Sequence, residues 1–284
     1  MITRSLLAYR RHPVTATATR RPKRRAPSSG VQNAYRVAAT LLALALWQVA
    51  VASGLVSDAA VATPTNIARE AGPLLASHTF GTALLDTISS WAEGLLVSLL
   101  IAVPIGLALG SSDLAYRMSR FTIDFLRTIP PVALIPLALL LYGATPKMAF
   151  VLIVFGSVWP VLLQAMYGVH QVDPAVRDVA RAYRLRRLDR IRFLILPSAA
   201  PFVATGIRLA ATISLLLAIG AELLGGAPGI GAAITLQEQN GDIPKMWVYV
   251  VVSAALGVIL NLALIGLERR VLKWHSAHRS VVVA

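Results

Sequence analysis

Few residues of this chain could do chemistry, and most of those are charges set in or beside apolar runs. Asp124 and Arg127 lie three apart, the spacing of a helical ion pair. Arg208 and Glu222 each sit inside a later apolar run, where a charge is costly and faces a cavity, a partner or the headgroups. Arg208 could face an aqueous path or pair across helices; Glu222 could line an external mouth or touch the headgroups. Seven arginines crowd between residues 173 and 197, at Arg177, Arg181, Arg184, Arg186, Arg187, Arg190 and Arg192. What is missing narrows the chemistry further. No G-x-S-x-G, H-E-x-x-H or G-x-x-x-x-G-K-S/T pattern occurs. The histidines, His12, His78, His170, His275 and His278, are scattered and read as solvated polar residues. There is no cysteine, which excludes disulfides, thiolate nucleophiles and cysteine metal sites. No catalytic residue and no metal ligand is therefore assigned, and the chain reads as no enzyme in its own right. The glycines at Gly225, Gly226, Gly229 and Gly231 follow an apolar helix and read as turns and close packing, not as a dinucleotide fingerprint.

The elements that must position these residues are membrane helices. The 284 residues are 56% hydrophobic and only 14% charged, against about a quarter charged in soluble domains. Runs of about 20 apolar residues predict spans at 35–56, 91–110, 121–142, 148–169, 202–224 and 246–267. Residues 1–34 form a basic tail broken by Pro13, Pro22 and Pro27, expected to be solvated at the membrane surface. A signal peptide is the minor alternative, and the length of the 35–56 run speaks against it. Residues 57–90 are mixed and read as an external connection with a short amphipathic helix at 66–76. Trp91 then marks an interfacial aromatic belt, as do Trp247 and Tyr249 at one end of the last span. Pro130, Pro131 and Pro136 interrupt the third span. Carbonyls freed there are tolerated in lipid only against neighbouring helices or a cavity, so a packing kink and a path-lining helix are both open readings.

Six spans put both termini on one side. With those termini cytoplasmic, the tail, the 111–120 turn, the 170–197 loop and Arg269, Arg270 and Lys273 all fall inside, leaving Arg69, Lys147 and Lys245 outside. The net charge of +14 is thus a topology signal and no indication of nucleic-acid binding. The arginine-rich loop carries something the charge rule does not explain. Val176, Val179, Ala180 and Tyr183 recur at helical spacing behind Asp173, an N-cap residue, and Pro174, suited to a first helical turn. A loop with an apolar stripe docks onto something.

The same stretch resembles the cytoplasmic loop of bacterial ABC importer permeases, E-A-A-x-x-x-G, nine residues, then I-x-L-P. The matching positions are Asp178, Val179, Ala180 and Arg184, then Leu194, Ile195, Leu196 and Pro197, with every spacing kept. The chain is similar to the nitrate/sulfonate/taurine branch in the run from Phe125 through Arg127 to Pro130 and Pro131. It is also similar at Ile135 and Pro136, Pro197 to Pro201, Gly206 to Arg208, and Ala221 and Glu222. The likeness covers about 61–274. Departures from the pattern include Asp178 for glutamate, Val179 for alanine and Arg184 for glycine. A left-handed backbone at 184 would cost a non-glycine residue about 1 kcal/mol.

The resemblance implies an all-α integral membrane protein of six helices with the type I ABC importer permease (MetI-like) fold. Its parts are a first helix at 35–56, a permease core at 57–276 with its coupling loop at 173–197, and a cytoplasmic tail at 277–284. It implies that Val176, Asp178, Val179, Ala180, Tyr183, Arg184, Leu196 and Pro197 engage a separate ATPase, which would hold the ATP and Mg²⁺; no cofactor is expected in this chain. Arg127, Pro130, Pro131, Gln164, Arg208 and Glu222 are the candidate path residues. The implied partners are ABC ATPase subunits, an extracytoplasmic solute-binding protein, a second permease copy and membrane lipid. The implied place is the cell inner membrane, and the implied solute a small anion such as a sulfonate, taurine or nitrate. Arg208 in the cavity would favour an anion. The alternative class is a stand-alone secondary transporter or channel; a membrane-embedded enzyme lacks any clustered nucleophile, base or metal ligand.

Overall fold

The computed structural model describes residues 29–272, and every regular element among them is helical. The first 28 residues of the basic tail and the 277–284 tail lie outside the described residues. The chain divides into two units, the boundary falling between Leu46 and Trp47. In the first unit, α1 (Ser29–Ala52) begins at Ser29, so the last residues assigned to the tail are helical. Pro27 is the final proline of the tail, and beyond it nothing blocks a helix.

In the second unit the end of α1 meets α2 (Pro64–Leu75): Gln48 Oε1 accepts from the Thr65 backbone N–H at 3.3 Å. The Thr63 hydroxyl caps α2 by accepting from the Asn66 N–H. Next, α3 (His78–Gly110) runs 33 residues, starting well before the expected span at 91. The mixed composition of 57–90 reads as a connection, but its second half is helical and the hydroxyls there fold back onto their own helix. Thr82 donates to the Thr79 carbonyl and Ser89 to that of Asp86, a local bonding that a helix tolerates. Trp91 consequently lies inside α3 and not at its start. Its indole N–H donates to the Ala211 carbonyl across the bundle at 2.9 Å. Tyr249 is likewise buried, stacked near Phe80.

Helices α3, α6 (Pro146–His170) and α9 (Leu196–Gly225) form the centre of this unit. Small residues let them approach closely, as membrane helices require in the absence of a hydrophobic driving force. A Cβ on Gly106 of α3 would stand 2.7 Å from the Leu162 carbonyl oxygen of α6. Ser157 and Ser214 share a hydrogen bond of 2.7 Å between α6 and α9.

The expected third span is two helices. α4 (Asp113–Leu126) and the segment Pro131–Tyr142, a 3₁₀ turn (Pro131–Leu134) followed by α5 (Ile135–Tyr142), meet at a bend of 65°. Pro130 and Pro131 cannot donate to a continuous ladder, so the helix ends at Leu126 and restarts beyond them. Among the described residues five helices are long and apolar enough to cross a membrane, six if this bent pair is one span.

The expected loop 225–245 holds α10 (Ile230–Gln239), and α11 (Ile243–Val271) completes the core. Asp242 caps α11, its Oδ1 accepting from the Lys245 N–H and its Oδ2 from Lys245 Nζ at 2.6 Å. Partial desolvation pushes the Asp242 carboxyl up. The hydrogen bonds and charge of Lys245 outweigh that and hold it below its ordinary value.

Candidate functional site: an exposed loop and a membrane cleft

Between α6 and α9 the arginine-rich stretch folds into α7 (Pro174–Ala182), a short turn α8 (Arg187–Arg190) and a wide π turn (Ile191–Ile195) running into α9. Asp173 is the N-cap: its Oδ1 accepts from the Ala175 N–H at 2.8 Å. Arg177 reaches back and donates from Nη2 to the Val169 carbonyl at 2.5 Å, in the last turn of α6. This arginine fastens the loop and is more than part of a charged rim.

The C-terminal end of α7 decides the geometry. Arg184 has φ +49°, the one non-glycine residue with positive φ among the described residues. The Leu185 N–H bonds to the Ala180 carbonyl at 3.1 Å, the long-range bond that closes a helix behind a left-handed residue. The position where the related pattern has glycine thus keeps the glycine conformation, and here an arginine holds it.

The stripe is divided by the fold. Val176, Val179 and Tyr183 are exposed, Tyr183 at 79%, whereas Ala180 is 4% exposed and packs inward. Ala180 is therefore the inner contact of α7 and not part of its outward face. Asp178 lies on the exposed side, as do Leu196 and Pro197. Leu188 and Phe193 add two large exposed apolar side chains that helical periodicity from Asp173 did not reach, because the chain turns at Arg184. The π turn has a cause in sequence. Pro197 has no N–H, and its ring would meet the carbonyl four residues back, so the helix widens before it.

The second site is a cleft of about 740 Å³ walled by the α4–α5 break, α6 and α9. Arg127, Thr128 and Pro131 come from the break, Trp159, Gln164 and Tyr167 from α6, and Leu209 and Ile213 from α9. The proline-broken helix lines a cleft. Arg127 pairs with Asp124 at 3.0 Å, as their spacing predicted, and Arg120 approaches the same carboxylate at 3.7 Å. Pro130 lies in the break itself, exposed.

Two candidate path residues lie elsewhere. Arg208 points away from the cleft and pairs with Glu268 of α11. The cation that lines the cleft is Arg127, itself paired with Asp124, and Arg208 does not line it. Glu222 lines no mouth and touches no headgroup. It is fully buried, with Oε2 accepting from the Thr87 hydroxyl and the Gly231 N–H, each at 2.9 Å. Trp159 and Tyr167 were missed as cleft residues because an aromatic on an apolar helix reads as packing. No group of metal-binding side chains occurs among the described residues.

A family model described as "binding-protein-dependent transport system inner membrane component" matches residues 102–273. The chain belongs to this family. The permease is 30% identical over 235 residues to a Bacillus subtilis (strain 168) protein named for aliphatic sulfonates transport, permease SsuC, covering 83% of this chain and 85% of that one. It is also 26% identical over 261 residues to the nitrate import permease protein NrtB of Synechocystis sp., covering 87% and 94%. The bicarbonate transport system permease protein CmpB of Synechococcus elongatus is 30% identical over 64% of this chain and 66% of its own. Among solved structures, a chain of the MetNI methionine ABC transporter superposes with TM-score 0.57 at 17% identity, covering 69% of this permease and 95% of that chain. The fold is therefore that of the MetI-type ABC transporter permeases.

Proposed function

We propose that this permease carries a small inorganic or organic anion into the cell, driven by a separate ATPase that grips the loop at 173–197. The observation that carries the reading is the loop geometry: a capped helix presenting Val176, Val179 and Tyr183 to the outside, closed by a left-handed residue at the position of the family glycine. Apolar side chains grouped on the exposed face of a polar, arginine-rich loop mark a surface that a partner covers. The partner supplies ATP and Mg²⁺, since this chain has no phosphate loop. A second copy of the permease and an extracytoplasmic solute-binding protein complete the assembly.

The loop lies on the cytoplasmic side. Arg117 and Arg120 of α4 and Arg269 and Arg270 of α11 gather at the same end, with α11 tied there by the Arg208–Glu268 pair. The cleft binds the solute during passage. Its lining cation, Arg127, shared with Asp124, and the donors Gln164 and Tyr167 suit a small anion, and the relatives are named for sulfonate, nitrate and bicarbonate.

Affinity purification of the detergent-solubilised permease from its native membrane tests the class. Recovery of an ATPase subunit, lost with Val179→Asp, is expected. Purification with no ATPase, with uptake intact in that variant, overturns the reading and restores a stand-alone transporter. For the solute, uptake of labelled taurine, nitrate and bicarbonate into proteoliposomes holding the full assembly is compared with Arg127→Gln. At least a tenfold loss for one of them is expected, and equal uptake of all three by both proteins removes the anion.

A further inference from the structure

Glu222 is a carboxylate with a cost the path argument does not explain. It is fully buried, no cation is paired with it among the described residues, and its Oε1 has no hydrogen-bond partner. A fully buried carboxyl with one oxygen unpartnered is kept for what it holds. Its Oε2 takes the Gly231 N–H in the first turn of α10 and the Thr87 hydroxyl of α3. The Thr87 oxygen in turn accepts from the Ile230 N–H at 2.9 Å, so one carboxylate and one hydroxyl secure two successive amides at the start of α10. A carboxylate at a helix N-terminus is also favoured by the helix dipole.

The backbone is shaped around this group. Gly229 has φ +149°, and a Cβ there would stand 2.2 Å from Glu222 Cδ. A Cβ on Gly231 would stand 2.5 Å from the Ile219 carbonyl oxygen. The chain wraps the carboxylate with two residues that no side chain could replace. Glu222 is thus the meeting point of α3, α9 and α10. It lies roughly 40 Å along α9 from Leu196, where the loop ends.

We propose that Glu222 is a positioning residue whose buried carboxylate fastens α3, α9 and α10 into one rigid node at the end of the permease opposite to the loop, and that this node restrains turnover driven from the loop. Because α9 runs unbroken from the π turn to Glu222, any movement imposed on the loop must either carry the node with it or stop there. The restraint on turnover rests on the ATPase-coupling role proposed for the loop; the node itself does not.

Two measurements test the two parts. The chain has no native cysteine, so Leu85→Cys on α3 and Leu236→Cys on α10, both exposed, accept spin labels without background. In the full-length permease the label-to-label distance is expected to be single and narrow. Thr87→Ser, which keeps the hydroxyl, leaves it so; Glu222→Ala and Thr87→Val at least double its width. In the permease assembled with its ATPase in nanodiscs, without solute or binding protein, Glu222→Ala and Thr87→Val are expected to raise ATP hydrolysis at least threefold, and Thr87→Ser to leave it unchanged. A merely structural role would leave hydrolysis equal or lower. Narrow distances in both disrupting variants overturn the node, and unchanged or reduced hydrolysis in assembled Thr87→Val overturns the restraint. If Glu222→Ala fails to assemble, Thr87→Val decides alone. If no ATPase associates even with the parent protein, the proposed function falls while the distance measurement still decides the node.

Discussion

The loop before α9 and the turn after it solve the same backbone problem in opposite ways. Each needs a left-handed or otherwise positive-φ residue where a helix stops and the chain turns. At the loop end the residue is Arg184, and the turn it makes holds Val176, Val179 and Tyr183 out in the open. At the far end the residues are Gly226, at φ +71°, and Gly229, and the turn closes over a buried carboxylate. The first end carries strain and exposed apolar surface, which is how a surface looks when its partner is another chain. The second has satisfied its α10 amides internally, on the Glu222 carboxyl and the Thr87 hydroxyl. One end is built to be gripped and the other to hold.

The sharpest way to break this comparison is at Gly229. Alanine there forces a Cβ into the Glu222 carboxyl at a φ that side chains rarely adopt, and a loss of roughly 3 kcal/mol is expected. A thermal midpoint in detergent lying within error of the parent would show that the far end is slack. Next in size, Val179→Asp puts a charge on the exposed face of α7. ATPase binding should weaken at least tenfold with the thermal midpoint unchanged, because Val179 makes no buried contact to lose. A matching fall in midpoint would mean that the face is structural after all.

Arg184→Gly sharpens the contrast from the other direction. Relief of the left-handed strain is worth about 1 kcal/mol, so the Leu185 amide should exchange about fivefold more slowly with deuterium. Faster exchange would show that the arginine side chain contributes more than its backbone costs. The smallest effect belongs to Asp242, which caps α11 at the far end. Its carboxyl is held below the ordinary value, so its contribution is present above the usual carboxylate range and is lost as pH falls through that lowered value. Asp242→Asn should cost about 0.5 kcal/mol at neutral pH and nothing near pH 2. A difference that persists in acid would assign the cap to hydrogen bonding alone.

How much of this was legible beforehand varies with the physics involved. The Asp124–Arg127 pair and the Asp173 cap follow from helical spacing and local bonding, and both are present. The proline break was legible as a break, but its 65° angle was not, since the angle depends on what packs on either side. Arg208 and Glu222 were singled out for the right reason, the cost of a charge in lipid. Neither partner was visible, because Glu268 is 60 residues from Arg208 and Thr87 is 135 from Glu222. The start of α3 was placed late because 57–90 was read as one mixed segment, whereas the prolines in it, Pro64 and Pro73, all precede His78 and leave 78–90 free to continue the helix.

By itself the amino-acid sequence determined the membrane class, the alternation of apolar runs and basic turns, the capped loop helix and the spacing from Asp178 to Pro197. Those properties depend on transfer free energy and on neighbours within a few residues along the chain. Only the tertiary structure decided that Ala180 faces inward while Val179 faces out, that Arg127 and not Arg208 stands in the cleft, and that Glu222 is a clasp. Each of those depends on which helix face meets which, and that is settled by close packing among residues far apart in the chain.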